Sequence, residues 1–284
     1  MLFALVVGLA LASGLAIFFE LLDDTIHDPE DLQRYTDLPY LGLIPHLEVS
    51  DRGLVVLESP KGPPAEAYRA VRSQIKFKLW ERPGKAIVIT SPLAGEGKTL
   101  TLCNVAIAFA QAGEKVIVLD TDLRRPGTHM LFGVDNSKGL TNVIVGDFAL
   151  EDVIVDTACP GLRLVPSGPL PPNPAELLET DRMRKIIEQC REMADVVLLD
   201  SPPCLAMSDA PILAAMTDFV VIVVRSGTTT ARDLRQTVEL LEAARGQILG
   251  VVLNRVPLAR GGYYYYYYCS DAFYYYDYYC GLPD

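Results

Sequence analysis

Short apolar runs recur along the chain from residue 86, and polar loops and segments with helical spacing separate them. The runs are almost continuously hydrophobic, which is typical of strands buried on both faces of a parallel sheet. The predicted strands are Ala86–Thr90, Val116–Asp120, Leu162–Pro166, Val196–Asp200, Phe219–Val224 and Ile248–Leu253. The predicted helices between them include Lys98–Ala112, Ala175–Cys190 and Ala231–Ala244. This alternation predicts an α/β fold with a doubly wound, mostly parallel sheet and a site at the carboxyl ends of its strands.

The first 19 residues contain no charged side chain. A helix of that length spans about 28 Å, close to the thickness of a bilayer's hydrocarbon core. We therefore expect one transmembrane helix at residues 1–19; the alternative, a buried core helix, would show a polar face, and none is visible. Residues 20–64 are assigned to a juxtamembrane segment and linker, with a helix capped by Asp28 and a short strand within residues 38–45. A helix from about Ala65 to Leu79 opens the folded domain, which is predicted to span residues 65–260.

Composition narrows the possible functions. The 284 residues carry a net charge of −11, which argues against general nucleic-acid binding. The six cysteines show no CxxC pair and no spacing suited to a metal site. Scattered thiols of this kind are typical of small buried side chains in a reducing compartment.

Tyrosine is concentrated at the carboxyl terminus, where residues 261–284 are predicted to form a disordered tail. The tail tyrosines are Tyr263, Tyr264, Tyr265, Tyr266, Tyr267, Tyr268, Tyr274, Tyr275, Tyr276, Tyr278 and Tyr279. Neither helical nor strand periodicity can bury six consecutive phenols, so the tail offers a row of accessible hydroxyl groups. A sticky low-complexity segment without enzymology is the alternative. No Lys or Arg follows Arg260, which excludes a nucleic-acid-binding arm.

A phosphate-binding loop follows the first predicted strand of the domain. Gly95 and Gly97 allow backbone amides to approach phosphates, and the following helix presents its positive end to them. Lys98 would reach the β- and γ-phosphates of a nucleotide, and Thr99 would hold Mg²⁺. The strict motif has glycine where this chain has Pro92, but the strand–loop–helix context fits. The predicted nucleotide-binding set is Gly95, Glu96, Gly97, Lys98, Thr99, Leu100, Arg124 and Asn254.

Acidic residues end two further strands. Asp120 and Asp122 are two positions apart, so their side chains point to the same side, towards Mg²⁺ or an incoming hydroxyl group. Asp200 ends a hydrophobic strand, as a magnesium-associated aspartate does. Helix capping is a sufficient explanation for Asp209. Asn254 is either a contact to an adenine edge or an ordinary turn asparagine.

These motifs resemble those of the bacterial tyrosine kinases of exopolysaccharide and capsule export. The resemblance covers nearly the whole chain and is strongest in three blocks, at residues 94–99, 119–126 and 199–203. Residues 171–178 and the tyrosine tail also match. Glu66, Arg69 and Arg72 match the family's ExxRxxR oligomerisation motif. Residues 1–45 are similar to the last membrane helix of a chain-length-determinant protein, a polysaccharide co-polymerase.

The resemblance implies a specific mechanism. Lys98, Asp120, Asp122 and Asp200 would be the catalytic set, with ATP as cofactor and Mg²⁺ held by Thr99, Asp120 and Asp200; either Asp120 or Asp122 would be the base. Copies of the chain would form a ring and phosphorylate one another's tails in trans, and the charge of the phosphates would open the ring. The implied setting is the inner membrane, with a single pass and a cytoplasmic kinase domain. The implied partners are polysaccharide export or polymerisation proteins and a phosphotyrosine phosphatase, without nucleic acid.

Two other function classes stay open at this point. A MinD/ParA-like ATPase switch shares the P-loop NTPase fold and the aspartates, but it typically has a second lysine early in the P-loop, where this chain has Leu93. It also lacks a tail rich in acceptors. A membrane scaffold that binds nucleotide without kinase activity is the second alternative, and it would leave the tail unmodified.

Overall fold

The computed structural model describes residues 24–46, 53–81 and 85–257, with isolated positions before residue 24. The predicted transmembrane helix (residues 1–19) and tyrosine tail (261–284) lie outside this described part. Among the described residues, no helix combines the length and the apolar character that crossing a bilayer requires.

Eight strands form one sheet, in the order β1-β8-β7-β2-β6-β3-β5-β4. All neighbouring pairs are parallel except β4 and β5. The strands are β1 (Tyr40–Pro45), β2 (Ala86–Thr90), β3 (Val116–Asp120), β4 (Val155–Asp156), β5 (Leu162–Val165), β6 (Val196–Asp200), β7 (Phe219–Arg225) and β8 (Ile248–Val256). The predicted doubly wound, mostly parallel sheet is confirmed. Strand β6 lies between β2 and β3, which brings the carboxyl ends of these three strands together.

Helices cover both faces of the sheet. They are α1 (Pro29–Tyr35), α2 (Val55–Glu58), α3 (Pro63–Glu81), α4 (Lys98–Gln111), α5 (Thr128–Phe132), α6 (Leu140–Val145), α7 (Pro174–Leu178), α8 (Asp181–Met193), α9 (Asp209–Ala214) and α10 (Ala231–Ala243), with a 3₁₀ turn at Leu150–Asp152. Alternate residues of β2 enter two separate cores: Val88 packs in the core with α8, α9 and α10, whereas Ile87 packs in the core with α3 and α4. The central strands are therefore apolar along their whole length because both of their faces are buried, as the sequence pattern predicts.

Two predicted boundaries are corrected. The helix expected at Ala175–Cys190 is two helices, because the chain becomes extended at Thr180 and starts again. The hydroxyl of Thr180 accepts a hydrogen bond from the amide of Met183 and so caps the second helix. The strand expected to reach Pro166 ends one residue earlier.

The predicted linker, residues 20–64, is instead folded wherever the structure describes it. Strand β1 pairs in parallel with β8 and forms one edge of the sheet. Ile26 and Leu32 are fully buried in the core, as is Val56 of α2. The expected cap of α1 is confirmed, since the amide of Asp31 donates to Asp28 Oδ1 at 2.8 Å. The packed unit therefore begins well before residue 65.

Candidate active site

The loop between β2 and α4 has the conformation that its glycines predict. Gly95 and Gly97 adopt φ values of 82° and 90°, which side chains with a Cβ rarely accept. Gly97 is the N-cap of α4, so Lys98 and Thr99 occupy the first turn of that helix. Pro92, where the chain departs from the strict motif, is tied to the loop after β6, since its carbonyl accepts a hydrogen bond from the amide of Leu205 at 3.2 Å.

The predicted catalytic side chains meet at the carboxyl ends of the three central strands. Lys98 Nζ lies 3.1 Å from Asp122 Oδ2 and 3.4 Å from Asp200 Oδ1. Thr99 Oγ1 donates to Asp200 Oδ2 at 2.7 Å. Burial acts to lower the pKa of Lys98, but the Asp200 and Asp122 carboxylates outweigh it and leave this pKa above its usual value. The lysine is thus a cation in the centre of an acidic cluster.

Asp120 and Asp200 are adjacent cross-strand partners and both are fully buried. Burial raises the pKa of Asp120 to about 7, with the Asp200 carboxylate adding to the effect. Asp120 Oδ2 accepts from the hydroxyl and the amide of Thr128, at 2.6 and 3.1 Å, while Oδ1 has no hydrogen-bond partner within the described part of the chain. Burial also raises the pKa of Asp200, against the opposing effect of Lys98 and Thr99.

Asp122 is held differently from Asp120. One carboxylate oxygen faces Lys98, and the other accepts from the amides of Arg124 and Arg125 at 3.3 and 3.0 Å. Both oxygens are therefore engaged by donors, two of them in the backbone.

Arg124, predicted to contact nucleotide, is anchored within the protein. Its Nε lies 3.2 and 3.1 Å from the two carboxylate oxygens of Asp209, which is fully buried. The capping explanation for Asp209 is therefore wrong: Ser208 is the N-cap of α9, and the Asp209 carboxylate pairs with the arginine that follows β3. The sequence showed only that Asp209 is an acidic residue at the start of a helix. That pattern does not distinguish a helix cap from an ion pair with a distant arginine.

Asn254 lies against the P-loop. Its amide donates to the carbonyl oxygen of Glu96 at 2.7 Å, and its Oδ1 accepts from the amide of Arg255. The side chain of Asn254 thus supports the P-loop through a hydrogen bond to its backbone. Its contact to an adenine edge stays a prediction. Glu96 is itself buried, with its carboxyl directed into the protein and bonded to Thr229 and to the amide of Leu93.

The ExxRxxR residues lie along α3. Glu66 and Arg69 form an ion pair within the helix, with 44% and 25% of their side chains exposed, and Arg72 donates to Ser73 Oγ at 2.9 Å. Such an i,i+3 pair stabilises a helix by only a few tenths of a kcal/mol. Their role in assembly stays a prediction.

Comparison with known proteins identifies the family. A protein-family model described as "AAA domain" matches residues 84–249. Tyrosine-protein kinase YwqD of Bacillus subtilis is 36% identical over 209 residues, which is 74% of this chain and 88% of YwqD. The chain belongs to the bacterial tyrosine-protein kinase family. Tyrosine-protein kinase ptk of Acinetobacter johnsonii is 30% identical over 264 residues, but the chain spans only 36% of the length of that relative.

Solved structures agree with the family assignment. The kinase domain of the Escherichia coli tyrosine kinase ETK superposes with a TM-score of 0.77 at 32% identity, over 82% of this chain and 95% of that domain. The septum site-determining protein MinD of Pyrococcus horikoshii superposes with a TM-score of 0.53 at 27% identity, over 60% of this chain and 70% of that chain. The MinD-like P-loop fold is confirmed, and so is the predicted enzyme class: this is a tyrosine-protein kinase with a nucleotide-binding site.

Proposed function

We propose that this kinase uses ATP and Mg²⁺ to phosphorylate the tyrosines of its own carboxyl-terminal tail, at positions 263–268, 274–276, 278 and 279. The observation that carries the proposal is the cluster of Lys98, Thr99, Asp122 and Asp200 at the carboxyl ends of β2, β3 and β6. Eleven tyrosines follow the last strand, and in a tyrosine kinase their hydroxyl groups can act as phosphate acceptors.

The loop residues fit a nucleotide with a divalent ion. The backbone at Gly95 and Gly97 would cradle the phosphates, and Lys98 would neutralise them once its contacts to Asp122 and Asp200 loosen. The described residues contain no group of three Asp, Glu, His or Cys side chains suited to a metal by themselves. Of the predicted ligands Thr99, Asp120 and Asp200, we assign Mg²⁺ to Thr99 and Asp200 together with phosphate oxygens, which is how this ion is usually bound, and we keep Asp120 for the role of base. The relative named MinD was solved with Mg-ADP, which supports this choice.

We assign the role of base to Asp120 rather than to Asp122. A general base works best when its pKa lies near the working pH, and burial raises the pKa of Asp120 to about 7. Its Oδ1 is buried and has no hydrogen-bond partner among the described residues, so it would be free to accept the proton of a tyrosine hydroxyl once the site opens to the acceptor, whereas both oxygens of Asp122 are already engaged. In this arrangement Asp122 fixes Lys98, and Asp120 removes the proton as the phenolic oxygen attacks.

Assembly and physiological setting follow from the family resemblance. Copies of the chain would form a ring through Glu66, Arg69 and Arg72, present their tails to neighbouring sites, and separate as phosphates accumulate. The cycle would regulate polymerisation and export of an extracellular polysaccharide at the inner membrane, with export proteins and a phosphatase as partners. The transmembrane helix at residues 1–19 is part of this proposal.

The experiment uses the full chain in detergent, incubated with ATP and Mg²⁺, with tail phosphotyrosine mapped by mass spectrometry. A chain with Lys98→Met serves as acceptor, and a chain with all eleven tail tyrosines changed to Phe serves as enzyme. Phosphate on the tail of the Lys98→Met chain in the mixture, and not in that chain alone, is the expected result. ATP hydrolysis with a bare tail in the wild-type protein would overturn the kinase proposal and leave an ATPase switch. Phosphate in the wild-type protein alone, but never in the mixture, would overturn the trans step.

A further inference from the structure

The P-loop of this kinase contains a buried carboxyl group that the phosphoryl-transfer chemistry does not use. Glu96 lies between the two phosphate-binding glycines, yet its side chain points away from the nucleotide site and only 1% of the residue is exposed. Burying a carboxyl group is costly unless hydrogen bonds compensate for it. Its contacts therefore indicate what the residue does.

Both oxygens of the Glu96 carboxyl are bonded to fixed partners. One accepts from the amide of Leu93 at 2.8 Å, which closes the P-loop on itself. The other accepts from the hydroxyl of Thr229, a fully buried residue in the loop after β7. The amide of Arg225 donates to the same hydroxyl oxygen at 2.9 Å. Because that amide can only donate, it takes one lone pair of the hydroxyl oxygen and leaves the hydroxyl's own hydrogen available to Glu96.

Thr229 is a rigid anchor because its loop is bonded on several sides. The carbonyl of Thr229 accepts from the amide of Ile26 at 2.9 Å, and the carbonyl of Ile26 accepts from the amide of Gly227 at 2.9 Å. The hydroxyl of Ser226 donates to the carbonyl of His27 at 2.7 Å. The segment before α1 therefore also holds the loop in place.

The backbone of Glu96 is fixed as well. Asn254 donates to its carbonyl, and a Cβ atom at the neighbouring Gly97 would lie 2.2 Å from the same Asn254 nitrogen. The amide of Ser226 in turn donates to the carbonyl of Asn254 at 2.9 Å. The side chain and the main chain of Glu96 are thus tied to one and the same unit, formed by the ends of β7 and β8.

We propose that Glu96 is a positioning residue of the kinase, which is held by Thr229 and keeps the P-loop in the conformation that binds nucleotide. The proposal rests on the nucleotide site of the proposed function. Burial, which raises the pKa of Glu96 to about 7 despite the bonds from Thr229 and Leu93, is consistent with a carboxyl whose hydrogen bonds are needed to keep it in place.

The test compares Thr229→Val with Thr229→Ser in the full chain in detergent. The valine variant keeps the shape but lacks the hydroxyl, whereas the serine variant retains it. Thr237→Val is the matched control, since Thr237 is also fully buried but its hydroxyl donates to the carbonyl of Asp233 in its own helix. We expect Thr229→Val to raise the Kd of a fluorescent ATP analogue and the KM for ATP about tenfold, with little change in kcat. Thr229→Ser and Thr237→Val should remain close to the wild type.

A double-mutant cycle with Glu96→Gln identifies the route of the effect. If Thr229 acts through Glu96, Thr229→Val should weaken nucleotide binding much less in the Glu96→Gln background than in the wild type. Equal Kd values for Thr229→Val and Thr229→Ser would overturn the proposal, even if the valine variant were less stable to heat. Because nucleotide binding is measured without phosphoryl transfer, this result is independent of whether the tail is phosphorylated.

Discussion

Replacing Lys98 by Met should destabilise the nucleotide-free protein as well as abolish phosphoryl transfer. The side chain of Lys98 is 12% exposed, and its partners Asp122 and Asp200 are 5% and 0% exposed. At an effective dielectric constant of about 20, attraction over these distances is worth about 5 kcal/mol for each contact before desolvation is subtracted. Removing one partner of a buried ion pair costs about 3–5 kcal/mol. Because Asp200 keeps Thr99 and Asp122 keeps two backbone amides, we expect a loss of about 3 kcal/mol.

The measurement is urea unfolding of the full chain at pH 8 without nucleotide. Lys76→Met is the matched control, because Lys76 pairs with Glu114 on the surface, with 54% and 23% of the side chains exposed. Exposed pairs of this kind contribute at most about 1 kcal/mol. Lys98→Met combined with Asp200→Asn should recover much of the loss, since the buried charge left unpaired is then removed. The loss should also shrink as the pH is lowered, because burial raises the pKa of Asp200 and the unpaired carboxyl can then take up a proton. An unfolding free energy of Lys98→Met equal to that of Lys76→Met would refute the reasoning.

Two further predictions concern the P-loop. The pKa of Glu96 is about 7 in the folded protein against 4.5 when unperturbed, so the folded state binds this proton more tightly and the free energy of unfolding falls as pH rises from about 4.5 to about 7. Glu96→Gln should make that fall shallower by about 3 kcal/mol when the free energy of unfolding is measured against pH. Asp120 adds a similar fall in both proteins, since burial raises its pKa as well. Parallel curves for the wild type and Glu96→Gln would contradict this prediction. Gly95→Ala meets no atom within 4 Å and should cost about 1 kcal/mol of backbone strain, whereas Gly97→Ala displaces the Asn254 amide and should cost at least about 2 kcal/mol. Equal unfolding midpoints for the two alanine variants would show that the Asn254 contact is unimportant.

The sequence predicted those features of the fold that local patterns encode. Continuous apolar runs located the central strands, and the loop from Gly95 to Thr99 was recognisable because it stands between a strand and a helix. The meeting of Lys98 with Asp122 and Asp200 followed from the rule that parallel strands present their carboxyl ends at one edge.

Contacts between distant residues were not predictable. The bond from Thr229 to Glu96 joins positions 133 apart, and that from Arg124 to Asp209 joins positions 85 apart. Thr229 carried no signal at all, because a threonine after a strand has many ordinary explanations. The two-residue strand β4 and the restart of the helix at Thr180 were also missed, since short elements are decided by tertiary packing and a single cap.

Strand β1 determines where the chain of this kinase can be truncated. It covers one side of β8, a nine-residue strand whose side chains are mostly Ile, Leu and Val, and whose other neighbour among the described strands is β7. A fragment that started at residue 46, or at the predicted boundary at residue 65, would turn β8 into a bare sheet edge. Unpaired, apolar edges recruit strands from other molecules, so such a fragment should self-associate through β8 in a manner unrelated to any ring. The six residues from Tyr40 to Pro45 thus protect against aggregation, and oligomers that a chain without them formed through β8 would be an artefact of truncation.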